Sequence, residues 1–497
     1  MESASTVKQF TNVLQANVDS IASAFHHPLN QDFVVRNFHI PALGIQASAL
    51  YLIGMADTKQ LEKQVIRPLL DASTIKHHER SDSLTMLKTK LLTAASVHRI
   101  TDSEQAVDQI IKGNTLLLIE GTPEALYIET TGFEHRAVEK PINENVLKGP
   151  QEGFIESGTV NRSLIRKQLR DASLVTEYVN IGDRSMTQVS VLYIKDLADD
   201  KIVEKVKGRI RQIQADSIQS LSILEQHIED RPYSLIPTVL WTERPDRAAS
   251  FLLEGHVVLI MDSSPACLVA PVTFWSFFHT AEDMYERWAF GNFIRFIRLV
   301  AFFVAMLTPS IYVAVTNYHI EMLPTDLLLA IAATREKVPF PAIIEVFFME
   351  LSFELLREAG VRVPTPIGPT IGIVGALILG QAAVDANIIS PILVIVVALT
   401  GLSSFAIPNI SFSFLIRITR FIFLGFAALM GFFGITLFLT AAIAYMSTIK
   451  SFGVPFLSPL APHERSSKDL IARPQVWRHW IRSMSTHPKD PFRKKKP

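Results

Sequence analysis

Five residues at helical spacing, Thr370, Val374, Leu377, Gln381 and Asp385, share one face of a glycine-rich apolar segment. Polar groups mark both ends of that face and apolar ones its middle, a pattern that suits a pore gated by dewetting. Around it Gly368, Gly372, Gly375, Ala376, Gly380, Ala382 and Ala383 allow close approach of neighbouring backbones. A tightly packed helix interface with no pore uses the same residues, so both readings stand. Glu345, Glu350 and Glu354 form a second constellation, on the amphipathic segment 340–357. They suit cation attraction at a pore mouth or a proton relay. Alternatively they line a wet interfacial face paired with Arg335, Lys337, Arg357 and Arg362, with Glu354 and Arg357 spaced as an i,i+3 pair. Several carboxylates facing lipid are costly, so this helix must lie at the interface, re-enter, or face protein or water.

Catalytic chemistry has no comparable foothold. The chain lacks a phosphate-cradling Gly-x-x-x-x-Gly-Lys and a dinucleotide fingerprint after a strand. His26-His27 and His77-His78 are adjacent pairs that diverge on either a strand or a helix and read as surface. Cys267 sits in a predicted strand, where core packing is the expectation. As the one cysteine, it excludes an intrachain disulfide and a cysteine-based metal site. No enzyme activity, catalytic residue, cofactor or metal is expected.

The elements that position these residues are legible in charge and hydropathy. Leu299–Ile320, Val363–Val384, Ala386–Ile416 and Phe421–Ile449 contain no Asp, Glu, Lys or Arg, and each is at least 22 residues long. A bilayer-crossing helix needs roughly 20 apolar residues. Four such stretches close together are hard to bury in a soluble core. Residues 1–290 carry 29 basic and 37 acidic groups and read as a soluble acidic region with no nucleic-acid partner. Residues 461–497 carry 10 basic and 3 acidic groups, so the tail suits either anionic lipid headgroups or free solvation. The first 30 residues lack the apolar core of a signal peptide. Arg287, Arg295 and Arg298 precede the first span, which predicts a cytoplasmic N-terminal region. Tyr285 and Trp288, in the connector before that span, suit the headgroup level.

The soluble region repeats itself. At an offset of 142, positions 50–67 contain 8 identities in 18, including Tyr51 with Tyr193, Asp57 with Asp199 and Arg67 with Arg209. The same offset pairs Gly113 with Gly255, Pro123 with Pro265 and Leu126 with Leu268. In each copy an apolar run (Ala47–Ile53; Gln188–Ile194) ends at Asp57 or Asp199, both predicted helix caps. Helices follow at Lys59–Leu70 and Lys201–Ile213. Later helices, Ser103–Lys112 and Ala248–Glu254, end at Gly113 and Gly255. Two further strands close each copy, Thr115–Ile119 and Ala125–Glu129, then Val257–Met261 and Ala266–Ala270. This alternation predicts mixed or parallel sheets covered by helices. The fold expected is an α/β cytoplasmic region of two duplicated subdomains followed by an all-α polytopic membrane domain. Four full spans are favoured and six are the upper bound, with additional interfacial helices. The divisions are 1–140 for the first subdomain and 141–174 for a basic linker whose helix spans Asn161–Asp171. The second subdomain is 175–280, the membrane domain 281–460 and the basic tail 461–497.

Specific motifs then carry a family likeness. Thr242-Glu243-Arg244-Pro245-Asp246 followed by Leu253-Glu254-Gly255, Lys148-Gly149-Pro150, Glu286-Arg287, Val338-Pro339-Phe340-Pro341, Pro366-Ile367-Gly368 and Ser451-Phe452-Gly453-Val454-Pro455 stand in order. The chain resembles the A subunits of the GerA family of spore germination receptors, strongly over about 140–460 and more loosely before. Gln151, where a basic residue is common, and Ser263, where glycine is expected, depart from the pattern. The resemblance implies a multi-pass subunit in the inner membrane of a dormant spore. It implies a homo-oligomeric, pentameric, nutrient-gated channel that releases monovalent cations and triggers germination. Its implied partners are copies of itself, a transporter-like B subunit, a C-subunit lipoprotein and the lipid bilayer. Two alternatives remain open, a non-conducting scaffold of the receptor complex and the stage V sporulation AF-type germination amplifier.

Overall fold

The computed structural model describes residues 9–71, 83–132, 140–141, 143–362, 380–464, 466 and 469–493. The first unit runs through α1 (Leu14–Ala24), β1 (Phe33–Ile40), β2 (Ile45–Leu52) and a helical segment α2 that starts at Thr58–Leu61 and ends at Arg67–Asp71. It continues through β3 (Val97–Ile100), α3 (Ser103–Ile111), β4 (Thr115–Ile119) and β5 (Ala125–Ile128). The second repeats this order with α4 (Gly158–Gln168), β6 (Leu174–Ile181), β7 (Thr187–Ile194), α5 (Asp200–Arg211), α6 (Leu221–Ile228), β8 (Leu240–Thr242), α7 (Pro245–Leu252), β9 (Val257–Met261) and β10 (Cys267–Ala270). The sheets run β1-β2-β4-β5-β3 and β6-β7-β9-β10-β8.

Every pairing in both sheets is antiparallel. The expectation of mixed or parallel sheets is therefore corrected. A four-residue connection joins β1 to β2, too short for the crossover that parallel neighbours need. Strand β1 escaped the sequence reading because it is half-solvated and polar in its centre at Arg36-Asn37, and β6 because Thr176, Glu177 and Asn180 interrupt its apolar residues although most of it is buried. Both predicted caps form. Asp57 Oδ1 accepts from the Lys59 and Gln60 amides at 2.9 and 3.0 Å, and Asp199 Oδ1 accepts from Lys201 N at 2.9 Å. Gly113 and Gly255 have φ of +96° and +86°, and a Cβ at Gly113 would stand 2.7 Å from the Met55 carbonyl oxygen. Ser263 occupies the left-handed region with φ 67°, which explains the expectation of glycine there.

Helix α4, expected within a linker, is the opening helix of the second unit. It covers the face of its sheet that α1 covers in the first. A shared device marks the equivalence: Asn17 brackets the backbone of Thr11 through Oδ1 and Nδ2, and Asn161 brackets Ile155 in the same way.

Among the described residues, longer helices follow at α8 (Trp288–Tyr318), α9 (Thr325–Arg335), α10 (Ala342–Arg362), α11 (Pro391–Phe405) and α12 (Ile410–Thr448). By length and composition, α8 and α12 can cross a membrane. The charge-free stretch Ala386–Ile416 is divided, because α11 ends at Phe405 and α12 opens at Ile410. The 15 residues of α11 rise about 22 Å, short of a hydrocarbon core of about 30 Å.

Helix α12 is a hairpin of two arms. Gly431 within it has φ 59° and ψ −138°. The Phe423 and Phe438 ring centroids are 4.6 Å apart, and those of Phe426 and Phe438 are 5.1 Å apart. In a straight helix these residues would be separated by roughly 18–22 Å. The arms before and after Gly431 are therefore about 30 and 25 Å long. The turn sits beside the far end of α8, where Tyr318 OH donates to the Ala428 carbonyl at 2.6 Å. Both open ends return to the second unit. Phe412 stacks on Phe277 at 5.7 Å, and Tyr445 OH donates to Ser234 Oγ at 3.1 Å.

Candidate functional site: a junction and a buried charge array

The motif residues tie the second unit to the connector before α8. Pro245 opens α7, where its missing amide costs nothing. Arg244, just before it, is buried and clamps Asp246 through Nε at 3.1 Å and Nη2 at 2.8 Å. It also donates to the Glu144 and Pro150 carbonyls at 3.1 and 2.7 Å. Glu243 accepts from the Asn143 amide and side chain at 3.0 and 2.6 Å. Asp246 also accepts from Tyr285 OH, and the Tyr285 ring packs on Gly149, where a Cβ would lie 2.4 Å from it. Lys148 pairs with Glu286 at 3.1 Å. Tyr285, 38% exposed, thus links α7 to the segment 148–150. Its ring has room only because residue 149 is glycine, and its hydroxyl has a charged acceptor.

Asp283 is the centre of the next layer. Its carboxylate accepts from Arg295 Nε at 3.0 Å and from Arg298 Nη1 and Nη2, both at 3.1 Å. Burial disfavours its charged form, but the hydrogen bonds and charges of Arg298 and Arg295 outweigh that and hold the carboxyl below its usual range. The two arginines read as flanking charges are consequently buried and paired. The tail closes over them. Asp469 pairs with Arg295, and Arg473 donates to the Glu286 carbonyl at 2.7 Å while accepting from Trp288 Nε1 at 2.8 Å. Farther on, Arg482 Nε donates to the Leu253 carbonyl at 2.7 Å, and Glu254 pairs with Arg493. Glu254 also accepts from Ser483 N at 3.1 Å next to Gly255, the helix-ending glycine. Residues 469–493 therefore fold as a strap, their arginines meeting carbonyls and carboxylates of the second unit and of the connector before α8.

The basic helix α4 also changes meaning. Arg166 Nη2 reaches Asp32 Oδ2 at 2.9 Å and Arg162 Nε lies 3.5 Å from Oδ1, with all three side chains buried. Burial raises the Asp32 pKa, but the charges of Arg166 and Arg162 prevail and lower it. This triad joins the two units.

Helix α10 is inside-out for a water-soluble helix. Glu345 and Glu350 are each 1% exposed, whereas Phe348 and Leu355 are 62% and 63% exposed. That distribution suits lipid outside and protein within. Glu350 Oε2 meets Arg420 Nη2 at 3.1 Å, and Glu354 Oε1 accepts from the same nitrogen at 2.8 Å. Arg417 pairs with the other Glu354 oxygen. Glu345 accepts from Ser390 N at 3.1 Å and faces Arg335 Nε at 3.5 Å. Of the alternatives for these carboxylates, the pairing of Glu345 with Arg335 is present, but the face is buried and not wet, and Glu350 and Glu354 take Arg420 across a helix interface. Glu354 takes Arg417 and Arg420 of α12, while Arg357 donates to Ser404 Oγ at 2.5 Å and lies over the Phe405 ring. Gln381 and Asp385 lie on the exposed helical turn 380–385, joined by a 3.0 Å hydrogen bond. Thr370, Val374 and Leu377 lie outside the described residues, as do His77 and His78. Asp32, Glu144, Asp283, Asp469 and the roles of Arg417 and Arg420 were missed in the sequence. Asp283 stood in the connector already noted for Tyr285 and Trp288, but nothing local distinguishes it from a solvated acid.

The Bacillus/Clostridium GerA spore germination protein family matches residues 19–485. Spore germination protein KA of Bacillus subtilis (strain 168) is 37% identical, over 94% of this chain and 86% of that protein. The uncharacterized membrane protein YfkQ of the same organism is 39% identical, over 90% and 86%. Spore germination protein A1, also from it, is 36% identical, over 89% and 90%. Among solved structures, the N-terminal domain of the A subunit of the Bacillus megaterium spore germinant receptor GerK3 aligns with a TM-score of 0.39 and 26% identity, over 54% of this chain and 98% of that one. With a family match spanning both repeated units, the helices that follow them and most of the strap, this chain belongs to the GerA family of spore germination proteins.

Proposed function

We propose that the chain is the A-type subunit of a germinant receptor. In this reading it is an ion-conducting oligomer of the spore inner membrane, and its opening releases monovalent cations. The observation that supports the conducting role is the buried array of Glu350, Glu354, Arg417 and Arg420 between α10 and the long apolar helix α12. Charges buried there are expensive and mark ion pathways or switches more often than anchors. The repeated units face the cytoplasm, and the Asp283 junction passes their movements to α8. Both chain ends on one side require an even number of crossings, four to six, of which α8 and the two arms of α12 supply three. The face of Thr370, Val374, Leu377, Gln381 and Asp385 lines the pore of a pentamer. A transporter-like subunit senses the nutrient and a lipoprotein completes the complex. The chain itself carries out no catalysis.

Purified full-length protein, alone and with its partner subunits, in planar bilayers tests this reading. Cation conductance that changes in Val374→Ala supports it. Complete absence of conductance in every oligomer leaves the non-conducting scaffold.

A further inference from the structure

A cavity of about 590 Å³ lies between α8 and the two arms of α12, floored by Leu235 and Phe274 of the second unit. The arms touch where Phe423 meets Phe438, and every lining residue of the arms lies between that contact and the second unit. The space is thus closed above by two rings and below by the soluble unit. A transbilayer helix of another chain, about 10 Å wide, has no continuous path through it. The walls are hydrocarbon, among them Phe302, Met306, Leu415 and Leu439. At the rim the character changes. Tyr445 lies under the Arg231 guanidinium, with the charge 5.7 Å from the ring centre. Arg231 donates to Thr448 Oγ1 at 3.0 Å and has no carboxylate partner among the described residues. Tyr233, two residues on, is fully exposed. An exposed aromatic and an unneutralised arginine beside an apolar cavity match a lipid with a buried tail and an anionic head.

We propose that this cavity holds one acyl chain of an anionic phospholipid from the leaflet facing the second unit, with its phosphate at Arg231. The proposal rests on the membrane reading above and makes the packing of the α12 arms depend on lipid charge.

The test is native mass spectrometry of the detergent-purified full chain, supplied with phosphatidylglycerol or phosphatidylcholine. The wild type should retain one phosphatidylglycerol preferentially. Arg231→Gln should lower that preference about fivefold, the effect of one cation near a charged headgroup. Ala442→Trp, which fills the cavity, should lose both lipids. Phosphatidylglycerol with a photoreactive acyl chain should label the arms of α12 in the wild type, a readout independent of that variant's folding. Equal retention of both lipids by wild type and Arg231→Gln, or labelling confined to other helices, would overturn the proposal. So would crosslinking of residue 442 to a second copy. Flotation of the same protein with vesicles separates the two claims: integration without lipid preference defeats only this inference, and failure to integrate defeats the membrane reading.

Discussion

Phe423 and Phe438 stack edge to face at 4.6 Å inside what the chain order presents as one continuous apolar run. Their contact requires the chain to reverse at Gly431, whose φ of 59° with ψ of −138° suits glycine alone. Gly434 completes the turn, because a Cβ there would fall 2.1 Å from the Phe426 carbonyl oxygen. Gly431→Val and Gly434→Ala should each destabilise the hairpin by about 1–3 kcal/mol. The measurement is the thermal midpoint of detergent-solubilised protein. An unchanged midpoint in both would mean a continuous α12.

Asp283 neutralises Arg295 and Arg298 at the foot of α8. Asp283→Ala leaves two buried cations without their shared acceptor, a change worth about 3–5 kcal/mol for buried pairs. The expected outcome is a lower unfolding midpoint and faster protease cleavage in the connector before α8. Because the folded carboxyl titrates below its ordinary 3.8, its contribution is present above that pH and is lost as pH falls through the folded value.

Arg420 serves Glu350 and Glu354 at once. Arg420→Met should therefore destabilise strongly, by about 3–5 kcal/mol, while adding Glu350→Leu and Glu354→Leu should recover much of the loss. Equal destabilisation by the single and triple replacements would show that the array contributes through packing and not charge pairing.

Arg166 and Asp32 bind the units to each other, and Arg166→Met leaves the buried carboxylate with only the more distant Arg162 as a cation. The two units should then unfold in separate calorimetric transitions. A single transition in the variant would count against the triad as their main attachment.

Glu225, in α6, is pushed up to about 7 by burial and then by the neighbouring Glu229 carboxylate. The folded state holds its proton more tightly than the unfolded chain, so this site favours folding most below about 4.5, and the benefit fades as pH rises toward 7. Glu225→Gln should raise the thermal midpoint at pH 8 and leave it unchanged at pH 4.

The duplication, its capping aspartates and its helix-ending glycines were legible because each is a local requirement. Asp57 and Asp199 cap the helices that begin one residue later, and Gly113 meets a conformation that its own position demands. Strand direction was less legible. Alternating strands and helices fit parallel or antiparallel sheets alike, and the short β1–β2, β4–β5 and β9–β10 connections together with the pairing of β2 with β4 decide.

Among the charges, local reading fails for a definite physical reason. Spacing along a helix suggests Glu354 with Arg357, yet in the folded chain the nearest compensating cations for Glu354 belong to α12. Asp32 and Arg166 lie 134 positions apart, and no periodicity connects them. By itself, the sequence determined two copies of one unit, an apolar region of membrane length and the family, since composition, offset and ordered motifs survive without coordinates. Tertiary structure alone decided which charges neutralise which, that the tail is a strap and that α12 folds back on itself. Those outcomes depend on desolvation, which is settled only when distant segments exclude water together.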